Sequence, residues 1–401
     1  MNKLGTKHVS TVLYLTTEFG DQLIGGLGRH VNDLVQSCKE ENLTIIVMTI
    51  SHTEKESYSF NDGIHIFRLL PWQEDPASLT DYFRNLNFRF TQFILQDLHM
   101  QFDLVHVHDW FFATTACQIK KMLGIPFVST IHSTERERKQ FNNGRVIPQI
   151  VEYEDQLLQC SDHIIVCSEY MKDILLIRQP NRQKSLSVLP NGIILKNFKE
   201  MLGRDEVSKR FPFITNPFLL GMGRLVKEKG FQILIEAFSQ IHLQYPTLKL
   251  VLAGSGPYEN ELKRIAKLYK LDSKVKFVGF LNEIERNTLL SKCEMVVIPS
   301  LYEPFGIVAL EGLAASKPVI AFKTGGLKEI VKDNRGILLE GISSFQLAER
   351  LHICLQHPKD VEDFALRGYQ AMIDEYQWLP IIRITISVYN QVVSNRNFFN
   401  K

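Results

Sequence analysis

The stretch MVVIPSLYEPFGIVALEGLAASKPVIA, Met295–Ala321, decides the fold. It opens on a short apolar run, Met295–Pro299, rich in β-branched residues. A loop carrying Glu303, Pro304 and Phe305 follows, and Gly306 opens an apolar helical segment that runs to Ala315. A second apolar run begins at Val319. Near-continuous apolar strands separated by helices indicate a parallel sheet covered on both faces.

Working outward, the same alternation fills the C-terminal half. Strands are expected at Phe218–Met222, Leu248–Ala253, Lys274–Val278, Met295–Pro299 and Val319–Ala321. Helices are expected at Gln232–Leu243, Glu259–Leu268, Gly306–Ala315 and Phe345–Leu355. The N-terminal half repeats the architecture without close sequence repetition. Its expected strands are Val9–Leu15, Leu43–Ile50, Asp103–Val107, Pro126–Thr130 and His163–Cys167, with helices at Gly26–Lys39, Leu79–His99 and Ile147–Gln159. Between the halves, VLPNGIILKNF carries a Pro190-Asn191-Gly192 turn, and mixed polar sequence follows through Phe211. The amphipathic segment Leu379–Val393 comes after Trp378 and is either a tail helix or one that crosses back.

Bulk properties agree with two doubly wound α/β domains. A chain of 401 residues suits two domains, and at 45% hydrophobic and 22% charged it has ample apolar material for two cores. A net charge of +2 gives no general affinity for nucleic acid or an anionic membrane. The six cysteines form no Cys-x-x-Cys pair, which reads as buried reduced thiols and a cytoplasmic location. The N-terminal MNKLGTKHVSTVLYLTTEFG has a basic start and a short, Thr- and Ser-interrupted apolar stretch. It reads as a first strand rather than a signal peptide, and no stretch approaches the length of a membrane span.

In two facing domains of this kind, ligands lie at the carboxyl ends of the strands, so the chemistry is expected in the loops after them. After the first strand comes EFGDQLIGGLGRH, where Gly25, Gly26 and Gly28 precede a helix. Glycines there let backbone N–H groups approach an anion, or only permit tight packing; the residues leave both readings open. The spacing is not the dinucleotide fingerprint, and no Walker lysine is present. After Phe218–Met222 comes GMGRLVKEKG, whose Arg224 and Lys229 can clamp a diphosphate or form a solvated basic turn. Gly254, Ser255 and Gly256 precede another helix.

Glu303 sits in the quoted loop, and the backbone N–H groups of Phe305, Gly306 and Ile307 stand at the helix start. Glu311 is flanked by Val308, Ala309, Leu310 and Leu313, so its carboxylate needs a buried partner. His132 ends a strand. HVHDW places His106, His108, Asp109 and Trp110 at another strand end, and His-x-His is a metal pair in some proteins. No third ligand is evident, and no metal is assigned.

Taken together, the chain resembles retaining glycosyltransferases of the GT-B fold, family 4 and its glycogen and starch synthase-like relatives. The matching elements are Gly25-Gly26-Leu27-Gly28, His132, Gly223-Arg224 with Lys229-Gly230, Gly254-Ser255-Gly256-Pro257, and Glu303 followed eight positions later by Glu311. The resemblance implies an acceptor-binding domain over 1–198, a nucleotide-sugar-binding domain over 199–375, and a helix over 376–401 returning to the first domain. It implies that Arg224 and Lys229 bind the diphosphate and stabilise the leaving nucleotide, that Glu303 contacts sugar hydroxyls, and that Glu311 holds the ribose. Gly25, Gly26, Gly254, Ser255 and the amides of Phe305, Gly306 and Ile307 would line the donor. The loop at Phe280 and Leu281 would meet the nucleobase, and His132 the sugar. Glu18, His108 and Asp109 are expected on the acceptor side.

The implied reaction is metal-independent transfer, with retention, of a hexosyl group. Glucose or N-acetylglucosamine would pass from a UDP-linked donor to a carbohydrate or small hydroxylated acceptor. Loops Thr17–Leu27, Trp72–Thr80 and Ser133–Val146 are expected to choose that acceptor. Glycogen synthase-like α-glucan elongation, a non-hydrolysing epimerase and a non-catalytic nucleotide-sugar-binding protein are the alternatives.

Overall fold

The structure, a computed structural model, describes residues 8–21, 25–73, 76–142 and 144–399. Residues 22–24, 74–75 and 143, which belong to the three expected acceptor loops, lie outside this set, as does the start of the N-terminal stretch. The chain forms two compact units. The first comprises Met1–Glu137, Arg145–Gly192 and Trp378–Lys401, and the second Arg138–Gly144 and Ile193–Gln377.

The first unit holds β1 (Thr11–Leu15), β2 (Thr44–Ile50), β3 (Ser57–Asn61), β4 (Ile64–Leu69), β5 (Leu104–His108), β6 (Phe127–Ile131), β7 (His163–Val166) and β8 (Leu186–Val188). They form one eight-stranded sheet ordered β3-β4-β2-β1-β5-β6-β7-β8. Only the edge strand β3 is antiparallel to its neighbour. The second unit holds β9 (Phe218–Met222), β10 (Lys249–Ala253), β11 (Val275–Gly279), β12 (Met295–Ile298), β13 (Val319–Phe322) and β14 (Ile337–Leu339). Its sheet is parallel throughout, ordered β11-β10-β9-β12-β13-β14.

The near-continuous apolar strands are buried because helices cover both faces: β5, β6, β9 and β12 are buried along their whole length. The expected strands and helices are all present, with ends moved by a few residues. Strands β3, β4, β8 and β14 are additional.

The last helix, Trp378–Phe399, follows the second unit in sequence but packs within the first. Its buried Trp378, Ile381, Ile382, Thr385, Tyr389 and Val392 recur at helical spacing and make one inward stripe. Tyr389 Oη lies 2.6 Å from His106 Nδ1 and 3.1 Å from Tyr14 Oη, and the Asn390 side chain accepts from the Val9 N–H at 2.8 Å. Trp378 lies against Gly192, where a Cβ would overlap the indole. No helix among the described residues is long and apolar enough to cross a membrane.

Candidate functional site

In each sheet the chain reverses its direction of winding once, between β1 and β5 in the first unit and between β9 and β12 in the second. The loops leaving the carboxyl ends of such a strand pair diverge to opposite faces and leave a crevice suited to a ligand. Lys229 follows β9 and Glu303 follows β12, and the two meet: Lys229 Nζ donates to Glu303 Oε2 at 2.6 Å. Ser300 Oγ donates to the same oxygen at 3.0 Å, and Ser300 is held by Thr324 Oγ1, which donates to its carbonyl at 2.8 Å. Among the described residues, Glu303 is thereby fixed through Oε2.

Backbone geometry explains the junction. Gly230 has φ +70°, and a Cβ there would overlap the carbonyl oxygen of Pro299 at the end of β12. Glycine lets the turn bearing Lys229 press onto that strand end. The Glu228 carbonyl accepts from Leu301 N–H at 2.8 Å, joining the two loops a second time. Arg224, in the same loop after β9, is exposed and has no ion-pair partner among the described residues.

Gly254 and Gly256 have a packing reason of their own. A Cβ at Gly254 would strike the Gly223 carbonyl, and one at Gly256 the Leu225 carbonyl. Leu225 N–H donates to the Ser255 carbonyl at 2.9 Å, so the loops after β9 and β10 are one packed layer. Phe280, after β11, presents an exposed ring, with Leu281 half-buried beside it. Phe305 is buried, and Gly306, at φ +118°, caps the helix Ile307–Ala314.

Glu311 has the partner its apolar surroundings demand. Arg286 Nε lies 3.5 Å from Glu311 Oε1, and both side chains are buried. Sequence reasoning missed Arg286. It sits in EIERNTLLSK, which reads as a charged helical turn, and nothing in its spacing ties it to Glu311.

The first unit offers a parallel arrangement at its own reversal. Glu18, after β1, accepts the Gly25 N–H on Oε2 at 2.9 Å and lies so close to Gly28 that a Cβ there would overlap it. A carboxylate at a helix start is favourably placed. The Gly25 N–H is engaged by Glu18, and Gly28 is needed for packing. Asp109, after β5, is buried and adopts φ +55° and ψ −172°, close to a region that glycine alone enters freely. The chain holds it there by an N–H bond to the Thr130 carbonyl at 2.9 Å, and Asp109 Oδ1 accepts the His132 N–H at 2.7 Å.

His108 Nδ1 and His132 Nε2 are 3.1 Å apart, at hydrogen-bonding distance. Burial holds His132 as a neutral ring, its pKa lowered to about 4, and pushes His108 and His30 well down for the same reason. The His-x-His pair serves separate ends: His106 is engaged by Tyr389 and by Thr130 Oγ1 at 2.8 Å, while His108 faces His132. A cavity of about 400 Å3 beside the loop after β1 is lined by Phe19, Asp21, Gln36, Asn61, Asp62 and Arg68.

Comparison with known proteins places this geometry. The profile of Glycosyltransferase Family 4 matches residues 24–197, and that of Glycosyl transferases group 1 matches 204–371. An uncharacterized glycosyltransferase, YqgM of Bacillus subtilis, is 30% identical over 385 residues, covering 96% of this chain and 98% of its own. This chain belongs to glycosyltransferase family 4.

Glycogen synthase of Mycobacterium tuberculosis is 28% identical to this family 4 glycosyltransferase over 400 residues, covering 94% of each chain. Among solved structures, sucrose-phosphate synthase from Thermosynechococcus elongatus superposes with a TM-score of 0.81 at 22% identity, covering 96% of this chain and all of the other. HepE of Anabaena, in complex with UDP-glucose, gives a TM-score of 0.73 at 20% identity over 95% of this chain and all of its own. Such likenesses establish the GT-B fold for the glycosyltransferase described here.

Proposed function

We propose that this glycosyltransferase moves a hexosyl group, glucose or N-acetylglucosamine, from a UDP-linked sugar to a hydroxyl acceptor with retention at the anomeric carbon. The observation that carries the reading is the Lys229–Glu303 pair spanning the β9/β12 reversal. Glu303, anchored through Oε2, keeps Oε1 for sugar hydroxyls. Lys229 and the exposed Arg224 supply positive charge for a diphosphate, a task a divalent metal performs in other folds. No metal is therefore required for transfer. Phe280 offers a ring face for a nucleobase, and Glu311, with the Arg286 guanidinium beside it, a carboxylate for the ribose diol.

In the reaction, the bond from the anomeric carbon to the diphosphate breaks and a bond to the acceptor oxygen forms on the same face. The leaving phosphate oxygen takes the acceptor proton, and Arg224 and Lys229 stabilise the charge that develops. On the first unit, His132 and the helix start at Gly26 are the proposed contributors. The cavity lined by Asn61, Asp62 and Arg68 is the proposed acceptor subsite, since its polar groups can bond hydroxyls. The proposed site of action is the cytoplasm, in keeping with six cysteines that form no disulfide.

The 28% identity with a glycogen synthase favours a second reading, α-glucan elongation. A donor-by-acceptor panel read by mass spectrometry, with and without EDTA, separates the two. The first reading expects one added hexose on a small acceptor, unaffected by EDTA. A ladder of products on maltodextrin alone favours elongation. Donor interconversion without transfer contradicts both.

A further inference from the structure

Three histidines from three elements converge inside the first unit. His30 comes from the helix Gly26–Cys38, His108 ends β5, and His132 lies just beyond β6. One ring nitrogen from each lies within 4.8 Å of the others. Two of these rings are already 3.1 Å apart at their nitrogens. Ligands on one tetrahedral cation stand roughly 3.4 Å apart when each bond is about 2.1 Å. A cation bound there would draw His30 closer to the other two.

The ring nitrogens of this cluster are poorly matched. His30 Nδ1 and Nε2 and His108 Nε2 are buried, and none makes a well-formed hydrogen bond among the described residues. Trp378 stands 5.5 Å from His30 between ring centroids, and the Asn191 side chain interacts with the His30 ring as a hydrogen-bond acceptor. Buried polar groups are normally matched, so imidazole nitrogens left without good partners beside one another point to a missing polar species. The lone pairs are imidazole nitrogens with an amide oxygen behind them. That set suits a borderline cation such as Zn2+, with Asn191 able to accept the N–H of a bound imidazole.

We propose that His30, His108 and His132 form a binding site for Zn2+ or a similar late first-row divalent cation, oriented by Asn191. The site shares His132 with the transfer chemistry proposed above, which itself needs no metal. Its occupant would tie up His132, so zinc would inhibit; that consequence rests on the reading given to His132, whereas binding does not.

The test uses the tag-free full chain, stripped of metal and titrated with Zn2+ against a chromophoric chelator. Parallel additions of Co2+ are followed by visible absorption. The expected result is one Zn2+ per chain and a tetrahedral Co2+ spectrum without a thiolate charge-transfer band. His30→Gln should weaken binding at least about tenfold and Asn191→Ala about tenfold, while Cys160→Ser leaves the stoichiometry unchanged. No saturable binding, a thiolate band, or unchanged affinity in folded His30→Gln overturns the proposal. The Co2+ spectrum is read on the unaltered chain, so it decides the matter even where a variant fails to fold. Zinc that binds one per chain without slowing transfer upholds the site and contradicts the role of His132.

Discussion

Glu303 and Asp109 show how much one side chain can organise. The Lys229–Glu303 pair is partly shielded, so salt screens it less than it screens surface ions. At Asp109 the backbone is held near φ +55°, ψ −172° while its carboxylate binds the His132 N–H. Such a conformation costs about 1–3 kcal/mol for a residue with a Cβ. Asp109→Gly should therefore unfold in urea at a higher midpoint than Asp109→Ala, although both lose the carboxylate. Equal midpoints would show that the backbone is unstrained. At this scale the sequence was legible where motifs are contiguous, as in Glu303 and Glu311. It was silent where a partner arrives from another element, as with Arg286 on Glu311 and His30 beside His132. The histidine beside His108 and His132 was of this kind: His30 lies in GLGRH, some eighty residues before His108 along the chain.

Elements are set by close backbone approach. Gly230 lets the Lys229 turn lie on the end of β12, and a methyl group would overlap the Pro299 carbonyl. Gly230→Ala is expected to lower the thermal midpoint and to reduce kcat/KM about as strongly as loss of Lys229 itself. A variant with wild-type kinetics would show that the turn can be displaced without consequence. The parallel strands were legible because burial on both faces leaves unbroken apolar runs. β3 and β4 were not: Ser57–Asn61 is mostly exposed and lies at the sheet edge, so no apolar run marks it. Its turn, Asp62-Gly63, has φ +53° and +80°, and an Asp-Gly pair between strands is a hairpin signal that the alternation of longer elements obscured.

Across the whole molecule, the final helix joins the end of the chain to the unit that begins it. Tyr389 Oη satisfies the buried His106 Nδ1. Tyr389→Phe would leave that nitrogen unmatched at a cost of about 1–3 kcal/mol. The loss should appear in the unfolding transition of the first unit alone, followed by hydrogen exchange at β1 and β5. A uniform change across both units would contradict it. Two sheets, each with one reversal, were legible as two alternating series; the strand order that creates the reversals was not, because apolar runs carry no record of their neighbours. That order brings the loops of Lys229 and Glu303 together. The measurement that tests the account most directly compares transfer by wild-type and Lys229→Ala protein at limiting donor, with folding checked by circular dichroism. The account predicts a fall of about 10²–10³-fold, as when a charge-stabilising group is removed. A folded Lys229→Ala protein with undiminished transfer would contradict it.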